Sequence, residues 1–492
     1  MCIRDSATGA QCPHYGAPLD TGILVNKKII CPWHHAQFNI KNGNLIDSPA
    51  LEGLASYEIE VKGGEVILIS EKQSEKEVSK KNRQKQTYLI IGGGAAGTAA
   101  AIKLRELGFA GHLIMVTADN EPPYDRTSLS KDFLKGDMDP EWLPLKNNDY
   151  YKNNNIEIIL GQTVKNVDAE NKIVELVNKT RLEFDKLLVA SGSKPKKITP
   201  MEAGYKNIYT LRTKQDAEKI QNISESANEI VIIGASFIAM EIAESLNDGN
   251  RNIHIIAPEK VPFQNTFGDE IGQLIRDKNE KAGIKFHLGQ EVKEFEGNGS
   301  ADKVVLNSGK TVEADLVIVG VGVNPATDFM PHFDMGSDGG LLTDEYLQVE
   351  NDIFAAGDVA KFPYWKTGKI IRIEHWRVAQ QLGMIAACNM LNFRKKIDIV
   401  PFFWTNLAEL NIQYAGYSEK WDDTVIKGDL KKGDVLVFYI KDNEIQAVLG
   451  INKDKHMSII EELIRLDKMP VSLANLEEED ITLNFLSELL IS

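Results

Sequence analysis

A strand, a glycine-rich turn and a helix follow one another twice in this chain, and this repeated unit restricts the fold more than any other feature. The first copy reads YLIIGGGAAGTAAAIKLRELGF from Tyr88 to Phe109, and the second reads EIVIIGASFIAMEIAESLNDGN from Glu229 to Asn250. Each copy joins an apolar run to a helix through glycine, as nucleotide-binding βα units do. Two copies this far apart indicate two nucleotide-binding α/β domains rather than a short repeat.

The first unit has the full dinucleotide spacing. Gly92, Gly94 and Gly97 form G-x-G-x-x-G, with Ala96 inside the motif. Gly92 makes the turn, Gly94 lets the backbone approach a pyrophosphate, and Gly97 lets the helix pack on the strand. The phosphates would lie at the helix N-terminus, where free N–H groups and the helix dipole favour an anion. A purely structural glycine turn is the alternative, but the strand–turn–helix context favours binding.

The second unit departs from this spacing. Gly234 remains, while Ser236 and Ala239 replace the second and third glycines. Alanine is commonly tolerated at the third position, but the serine adds a side chain near the pyrophosphate. The acid expected to read the ribose is displaced to Glu259, two residues beyond the strand end at Ala257. The unit predicts a site for NADH or NADPH and leaves the choice open.

Composition excludes some classes of function. The net charge of −15 over 492 residues disfavours a nucleic-acid partner, because phosphate binding needs a basic face. Only four cysteines occur, so we expect a reducing, cytoplasmic location rather than a disulfide framework. No signal peptide or integral membrane segment is predicted. The first six residues, MCIRDS, do not read as the start of an element, and we assign Cys2 no role.

Two cysteine–histidine pairs near the N-terminus predict a metal site. Cys12 and His14 lie in CPHYGAPLDTG, and Cys31 and His34 lie in CPWHHAQF. Two thiolates and two imidazoles at this spacing suit a [2Fe–2S] cluster in which histidine replaces cysteine on one iron, which raises the reduction potential. A Cys₂His₂ zinc site, or unrelated loop residues, are the alternatives.

The two stretches together closely resemble the Rieske ferredoxin family. The resemblance implies that Cys12 and Cys31 hold one iron, and that His14 and His34 hold the other. The family usually has glycine where this chain has His35, so we interpret His35 as a tolerated substitution rather than a ligand. The family also has strands before the first ligand pair. Only eleven residues precede Cys12 here, so we expect an incomplete β-base beneath the cluster loops.

Three further motifs resemble those of two-dinucleotide flavoproteins. In NDIFAAGDVAKF, Gly357 and Asp358 match the second FAD motif, whose aspartate bonds the ribityl chain. In LLVASGS, Ser191 and Gly192 match the short turn that precedes the NAD domain. In VGVGVNPAT, Gly322 matches the turn that closes near the nicotinamide.

Other matches imply residues close to the flavin. PYDRTSLSKDFL resembles an R-x-x-LSK signature, in which Arg126 contacts the FAD pyrophosphate and Lys131 pairs with an acid, here Glu241. A solvated basic loop, and an acid that simply faces solvent, are the alternatives. IEHWRVAQQLG and PFFWT match as well and imply that Trp376 and Trp404 wall the isoalloxazine. No Cys-x-x-Cys follows the first glycine motif, so a disulfide-reductase mechanism lacks its dithiol.

From Ala7 to beyond residue 450, the chain resembles the Rieske-fused branch of the apoptosis-inducing-factor-like flavoproteins, which are relatives of ferredoxin reductases. The resemblance implies a multidomain chain with a small all-β Rieske domain, two Rossmann-like α/β domains and a small α+β domain. The expected divisions are a Rieske domain at 1–70 (truncated at its N-terminus), a linker at 71–86, FAD-binding parts at 87–199 and 326–396, an NAD(P)-binding domain at 200–325 and a C-terminal domain at 397–492. The polar linker suggests that the cluster domain moves.

The activity that this resemblance implies is electron transfer. NAD(P)H reduces FAD, and FAD passes electrons to the Rieske cluster and then to an unknown acceptor, which is a protein or a small molecule. A redox-sensing protein that binds NADH and turns over slowly is the alternative. A terminal Rieske oxygenase is disfavoured, because the nine histidines include no pair at the short helical spacing that its mononuclear iron would favour. The sequence leaves open whether the chain forms a homodimer.

Overall fold

The computed structural model describes residues 6–72, 85–199, 201, 204–470 and 481–491. Most of the predicted linker, residues 73–84, lies outside the described residues, and so does Cys2.

The N-terminal region is built from short antiparallel strands. One sheet runs in chain order through Ile23–Val25, Lys28–Ile30, Gln37–Asn39 and Leu45–Asp47. A second sheet places Ser56–Lys62 between Ala7–Thr8 and Glu65–Glu71. The Glu65–Glu71 strand is exposed throughout, including the apolar run from Val66 to Ile69. The buried core of this region is small and includes Cys12, Cys31 and Phe38.

The first glycine unit lies at the centre of a mostly parallel sheet. Its strand order is Ile156–Ile159, His112–Val116, Thr87–Ile91, Lys186–Val189, Ile353–Ala355 and Gln348–Glu350. Continuous apolar runs such as YLII suit strands that are covered on both faces. Because Ile353–Ala355 pairs with Lys186–Val189, the chain returns to this sheet after building the second α/β region.

Helices pack closely against this sheet. The helices of the region are Ala95–Glu106, Asp132–Lys135, Asn148–Asn153 and Trp376–Met390. A side chain at Gly383 would place its Cβ 2.1 Å from the Ala96 carbonyl oxygen, so glycine there allows the first and last helices to touch. Smaller strands flank the layer: Val164–Asp168, Ile173–Leu176, Arg181–Glu183, Ser193–Pro195, Val323–Pro325, Leu341–Leu342, Ala360–Pro363 and Ile370–Ile371.

The second glycine unit forms a separate parallel sheet. Its order is Ile208–Tyr209, Leu316–Val319, Glu229–Ile233, Asn252–Ala257 and Lys285–Leu288. An antiparallel sheet beside it contains Val292–Glu296, Lys303–Leu306 and Thr311–Glu313. The helices are Lys214–Ser224, Phe237–Leu246, Gln264–Phe267 and Asp269–Lys281.

The C-terminal region is an antiparallel sheet covered by helices. Its strands lie in the order Phe402–Leu407, Leu410–Gly416, Glu444–Ile451, Asp434–Lys441 and Asp423–Asp429. The helices are Asp454–Arg465 and Leu483–Ile491. The predicted fold class, an all-β domain, two Rossmann-like domains and a small α+β domain, is therefore confirmed. Among the described residues, no helix combines the length and the apolar character that a bilayer crossing requires.

Candidate functional site

The first glycine turn has the conformation that its sequence predicts. Gly92 lies in the left-handed region at φ 113°, and a Cβ there would lie 2.1 Å from the Ala190 carbonyl oxygen. A Cβ at Gly97 would lie 2.0 Å from the Gly92 carbonyl oxygen, so the helix starts in direct contact with its own turn. At Gly94, by contrast, a Cβ would meet no protein atom within 4 Å. Gly94 therefore faces open space at the helix N-terminus, where a ligand backbone or phosphate fits.

This open space belongs to a cavity of about 750 Å³. Most of the predicted FAD-site residues line it: Gly92, Gly94, Ala96, Arg126, Ser191, Gly192, Gly357, Asp358 and Trp376. Lys131, Glu241 and Trp404 are not among its lining residues. Ligand cavities of drug-sized or cofactor-sized molecules have volumes of roughly 300–1,000 Å³, so the space suits a dinucleotide.

Two arginines give the cavity a cationic wall. Burial, and the neighbouring Arg212 guanidinium, lower the pKa of Arg126 from its ordinary value. Arg212 Nη2 lies 3.1 Å from Asp358 Oδ2, which also accepts a hydrogen bond from Ser193 Oγ at 2.6 Å. The buried Nε of Arg212 has no hydrogen-bond partner within the described part of the chain. A guanidinium N–H that has no protein acceptor can donate to an anionic ligand group such as a pyrophosphate.

The sequence reading missed Arg212, because nothing local distinguishes it from a surface arginine. It follows the strand Ile208–Tyr209 of the other α/β region and reaches the cavity only through the tertiary fold. Asp119, which follows the strand where an acid is expected, accepts a hydrogen bond from Tyr124 Oη at 2.6 Å and also lines the cavity.

Lys131 and Glu241 form an ion pair. Lys131 Nζ lies 2.8 Å from Glu241 Oε2, and the Glu241 side chain is buried. Ser130 Oγ donates to Glu241 Oε2 at 2.6 Å, and Thr405 Oγ1 donates to Glu241 Oε1 at 2.7 Å. The carboxylate thus connects the two α/β regions with the strand that carries Trp404.

The second glycine turn keeps its shape without the full motif. Gly234 lies at φ 108°, and a Cβ there would lie 2.4 Å from the Gly320 carbonyl oxygen. Ser236 caps the helix: its Oγ accepts from the Ala239 N–H and donates to the Gly320 carbonyl oxygen at 2.7 Å. The serine side chain is therefore bound to the protein.

A second cavity of about 750 Å³ opens beside this turn. Gly234, Pro258 and Val321 line it, together with Lys197 and Lys293, whereas Ser236, Glu259 and Gly322 are not among its lining residues. Glu259 is half-buried just beyond the Asn252–Ala257 strand. Gly322 has a positive φ of 97° and its carbonyl oxygen accepts from the Lys196 N–H at 2.9 Å.

The predicted metal ligands lie on two matching loops. The Cys12 carbonyl oxygen accepts from the Gly16 N–H at 2.8 Å, and the Cys31 carbonyl oxygen accepts from the His35 N–H at 3.1 Å. Gly16 and His35 are both left-handed, at φ 76° and 60°. His35 therefore occupies in the second loop the position that glycine holds in the first.

The four side chains are arranged as two pairs. The Cys12 and Cys31 thiols are buried and hydrogen-bonded to each other. The Nδ1 atoms of His14 and His34 lie 3.1 Å apart, so both imidazoles direct the same nitrogen towards one point. A pair of sulfurs and a pair of nitrogens fit the two irons of a [2Fe–2S] cluster, as histidine replaces cysteine on one iron only.

The environment favours metal-binding protonation states at both imidazoles and at one of the two thiols, because the hydrogen bond to Cys31 and burial raise the pKa of Cys12 above its ordinary value. The hydrogen bond from Cys12 and the N–H groups of Trp33 and His34 lower the pKa of Cys31 to about 7, against the effect of burial. Burial lowers the pKa of His14 to about 4 and that of His34 well below its ordinary value. A thiolate and neutral imidazoles are the forms that coordinate metal.

Aromatic rings connect the loops to the rest of the molecule. The Trp404 ring packs on His34, with centroids 4.2 Å apart and planes at 34°. The His375 ring also packs against Trp404, with centroids 5.2 Å apart and planes at 82°, and its neighbour Trp376 lines the first cavity. The sequence predicts that Trp404 walls the flavin, which stays a prediction; in the structure its ring packs on a cluster-loop histidine.

These features define a flavoprotein reductase that binds FAD, NAD(P)H and a Rieske [2Fe–2S] cluster. The chain belongs to the pyridine nucleotide-disulphide oxidoreductase family, whose profile matches residues 86–383. The Rieske [2Fe-2S] domain profile matches residues 5–58, and the reductase C-terminal profile matches residues 402–486.

Similar proteins include reductases and a cell-death-related protein. Apoptosis-inducing factor 3 of Mus musculus is 34% identical over 485 residues, which cover 94% of this chain and 80% of the relative. The ferredoxin–NAD(+) reductase component of 3-phenylpropionate/cinnamic acid dioxygenase from Photorhabdus laumondii is 30% identical, over 77% of this chain and 96% of the relative. A solved covalent putidaredoxin reductase–putidaredoxin complex has a TM-score of 0.78 and 25% identity, covering 83% of this chain and 99% of its own.

Proposed function

We propose that this chain takes electrons from NAD(P)H at the second glycine unit, passes them to FAD in the first cavity, and delivers them to a cluster held by Cys12, His14, Cys31 and His34. The observation that carries this proposal is the position of Trp376. Trp376 lines the dinucleotide cavity and also a smaller cavity, of about 140 Å³, that His14 lines. One residue therefore lies between the proposed FAD site and the loop that carries His14.

When bound, FAD accepts two electrons together as a hydride and releases them singly, and a [2Fe–2S] cluster accepts one electron at a time. The chain's own residues hold these groups in place. Gly94 leaves room for the FAD pyrophosphate, Gly92 and Gly97 allow the tight turn and the helix contact behind it, and Ala96 lines the cavity, with Arg126 supplying positive charge. The remaining FAD contacts are assigned to the turns at Ser191, Gly192, Gly357 and Asp358, and to Trp376.

Lys131 and Glu241 act as a fixed charged pair beside the reacting centre. Two hydroxyl donors orient the buried Glu241 carboxylate, which leaves Lys131 as its cationic partner on the more exposed side. Through Thr405 the same carboxylate fixes the strand that carries Trp404. The ion pair therefore helps to position Trp404 against His34, between the two proposed cofactor sites.

The proposed donor is NADH. Gly234 lines the second cavity, Ser236 and Gly322 are assigned to the same site, and the acid at Glu259 follows the strand on which a ribose-reading acid is expected. Three similar proteins are named as NAD(+) reductases of ferredoxin or rubredoxin. The ratio of kcat/KM for NADH and NADPH tests this preference, and a ratio that favours NADPH contradicts it.

The acceptor beyond the cluster is proposed to be an electron-carrier protein or a small molecule in the cytoplasm, where four cysteines in 492 residues suit reducing conditions. The domain divisions expected from the sequence, at residues 70, 86, 199, 325 and 396, are kept as part of this proposal.

Anaerobic titration with NADH, followed by visible absorption and electron paramagnetic resonance, tests the electron path. We expect both flavin bleaching and a reduced-cluster signal. Cys31→Ser should abolish the cluster signal while flavin reduction survives. Cys388→Ser, in the helix Trp376–Met390, is the matched control and should retain both signals.

Two results would contradict the proposal. Reconstituted protein that carries only zinc has no redox-active cluster. Loss of flavin reduction in a Cys31→Ser protein that still binds FAD would show that the two sites are not separate. Fast NADH oxidation with an added acceptor supports a reductase, whereas a long-lived reduced flavin supports the redox-sensing alternative.

A further inference from the structure

A fully buried arginine connects the Rieske loops to both neighbouring domains. Arg377, in the second position of the helix Trp376–Met390, has 0% exposure. Its Nη2 lies 3.0 Å from Asp47 Oδ2, and its Nε donates to the Ser48 carbonyl oxygen at 2.9 Å. Its Nη1 lies 2.7 Å from Glu461 Oε1, in the C-terminal helix Asp454–Arg465. One guanidinium thus contacts three parts of the chain.

His35 completes this network. Its Nδ1 lies 2.5 Å from Glu461 Oε2, its carbonyl oxygen accepts from Arg377 Nη2 at 3.3 Å, and its ring stacks on Phe402 at 4.0 Å. The glycine found at the equivalent position of the other loop offers neither the ring nor the imidazole nitrogen. His35, which the sequence predicts to be a tolerated substitution, therefore contacts the C-terminal region of the reductase through Glu461 and Phe402.

A second buried ion pair lies nearby, on a different strand. Lys28 Nζ is 2.8 Å from Glu462 Oε2, with side-chain exposures of 9% and 1%. Gln413 also donates to the Trp33 carbonyl oxygen at 3.0 Å, directly beside the ligand loop. The contacts with the C-terminal domain therefore involve several separate segments of the Rieske region.

Burial makes this arrangement hard to open. Removing one partner of a buried ion pair leaves an uncompensated charge, and such networks can fix one arrangement among several. Asp47 has Arg377 as a partner only while the Rieske region is docked, whereas the ion pair of Arg377 with Glu461 lies within the reductase body. Surface ion pairs, which water screens, would contribute little to such a contact.

We propose that Arg377, Glu461 and His35 are positioning residues that hold the Rieske domain in a fixed docked position, with His34 against Trp404. This inference rests on the proposed function. In the docked position, the flavin passes electrons to the cluster of its own chain. The face around Trp404 is closed to a separate ferredoxin-type protein. One similar solved structure is a reductase in covalent complex with putidaredoxin; here the Rieske domain belongs to the same chain.

Docking can be measured without any electron transfer. A site-specific protease sequence is inserted between Lys72 and Lys85, the intact folded protein is cleaved, and the products are separated by size exclusion. We expect the Rieske fragment to co-elute with the remainder. Arg377→Met and, separately, Lys28→Met should weaken fragment binding by about 100-fold or more. Lys432→Met, which removes an exposed ion pair with Asp429, is the control and should leave the fragment bound.

Immediate dissociation of the wild-type fragment overturns the proposal, and so does undiminished binding in both Arg377→Met and Lys28→Met. Flavin absorbance and NADH-driven flavin reduction should be unchanged in the variants, which separates loss of docking from loss of folding.

Stopped-flow reduction of the uncleaved protein then tests the electron route. The rate of cluster reduction should be independent of protein concentration in the wild type and at least about tenfold slower in Arg377→Met. A rate proportional to concentration means transfer between molecules and overturns the inference. A fragment that stays bound while the cluster is never reduced contradicts the proposed function but leaves the docking intact.

Discussion

The two glycine units place their closest contacts differently. In the first, a Cβ at Gly97 of the helix would meet the Gly92 carbonyl oxygen of its own turn, and Ala190 follows the neighbouring strand. In the second, Ala239 takes the helix position, and Gly320 follows the neighbouring strand, where its Cβ would lie 3.0 Å from the Ala239 methyl. Glycine therefore stands in the helix of the first unit and at the facing strand end of the second.

This exchange changes how the second motif should be read. From the sequence, G-x-S-x-x-A looks like a weakened version of G-x-G-x-x-G. In the structure the methyl of Ala239 faces Gly320, which has no side chain. The Ser236 hydroxyl donates to the Gly320 carbonyl oxygen and is therefore not free to point towards a ligand. A position in a glycine motif therefore has to be judged together with the residue that it contacts, and that residue can lie far along the chain, as Gly320 does for Ala239.

The largest effect is expected for Gly97→Ala. The new Cβ would lie 2.0 Å from the Gly92 carbonyl oxygen, and neither backbone segment moves easily. We expect a loss of about 3 kcal/mol in stability and release of FAD. Flavin absorbance per mole of purified protein measures this. Ala239→Gly is the matched change in the second unit and should leave FAD bound; equal flavin loss in both variants would contradict the comparison.

Gly234→Ala should be next in size and affect the other cofactor. It combines a φ of 108° with a Cβ only 2.4 Å from the Gly320 carbonyl oxygen. We expect KM for NADH to rise about tenfold or more with FAD retained, because a shift of the turn by a fraction of an ångström misplaces the nicotinamide. Gly283→Ala has a similar φ of 95° but open space around its Cβ, so it controls for backbone strain alone.

Gly320→Ala tests the exchange of small residues directly. Its Cβ would press on the Ala239 methyl, and we expect about 1 kcal/mol of destabilisation. Adding Ala239→Gly recreates the pattern of the first unit and should recover most of that loss. A double-mutant cycle on denaturation midpoints measures the coupling. Strictly additive effects would show that the two positions do not compensate each other.

Ser236→Ala should have an effect no larger than that of Gly320→Ala. It removes the helix cap and the hydrogen bond to Gly320, so about 1 kcal/mol of stability is expected to be lost. Ser236→Gly should cost less at the cap, since glycine is tolerated there. A thermal unfolding scan compares the two. If Ser236→Ala instead raises KM for NADH strongly without changing stability, the hydroxyl binds the cofactor.

The sequence by itself determined the features that depend on neighbouring residues. Apolar runs followed by glycine specified both strand–turn–helix units, because the turn at Gly92 and the start of the helix are local. The same holds for the ligand loops, where Cys12 and Cys31 each lie four residues before a left-handed residue.

Only the tertiary structure decided which distant groups meet. It paired Ala239 with Gly320, brought Arg212 to the first cavity, and placed Trp404 on His34. These contacts join segments tens to hundreds of residues apart, so no local spacing encodes them. They depend on how the domains pack, where burial and charge pairing select one arrangement from many.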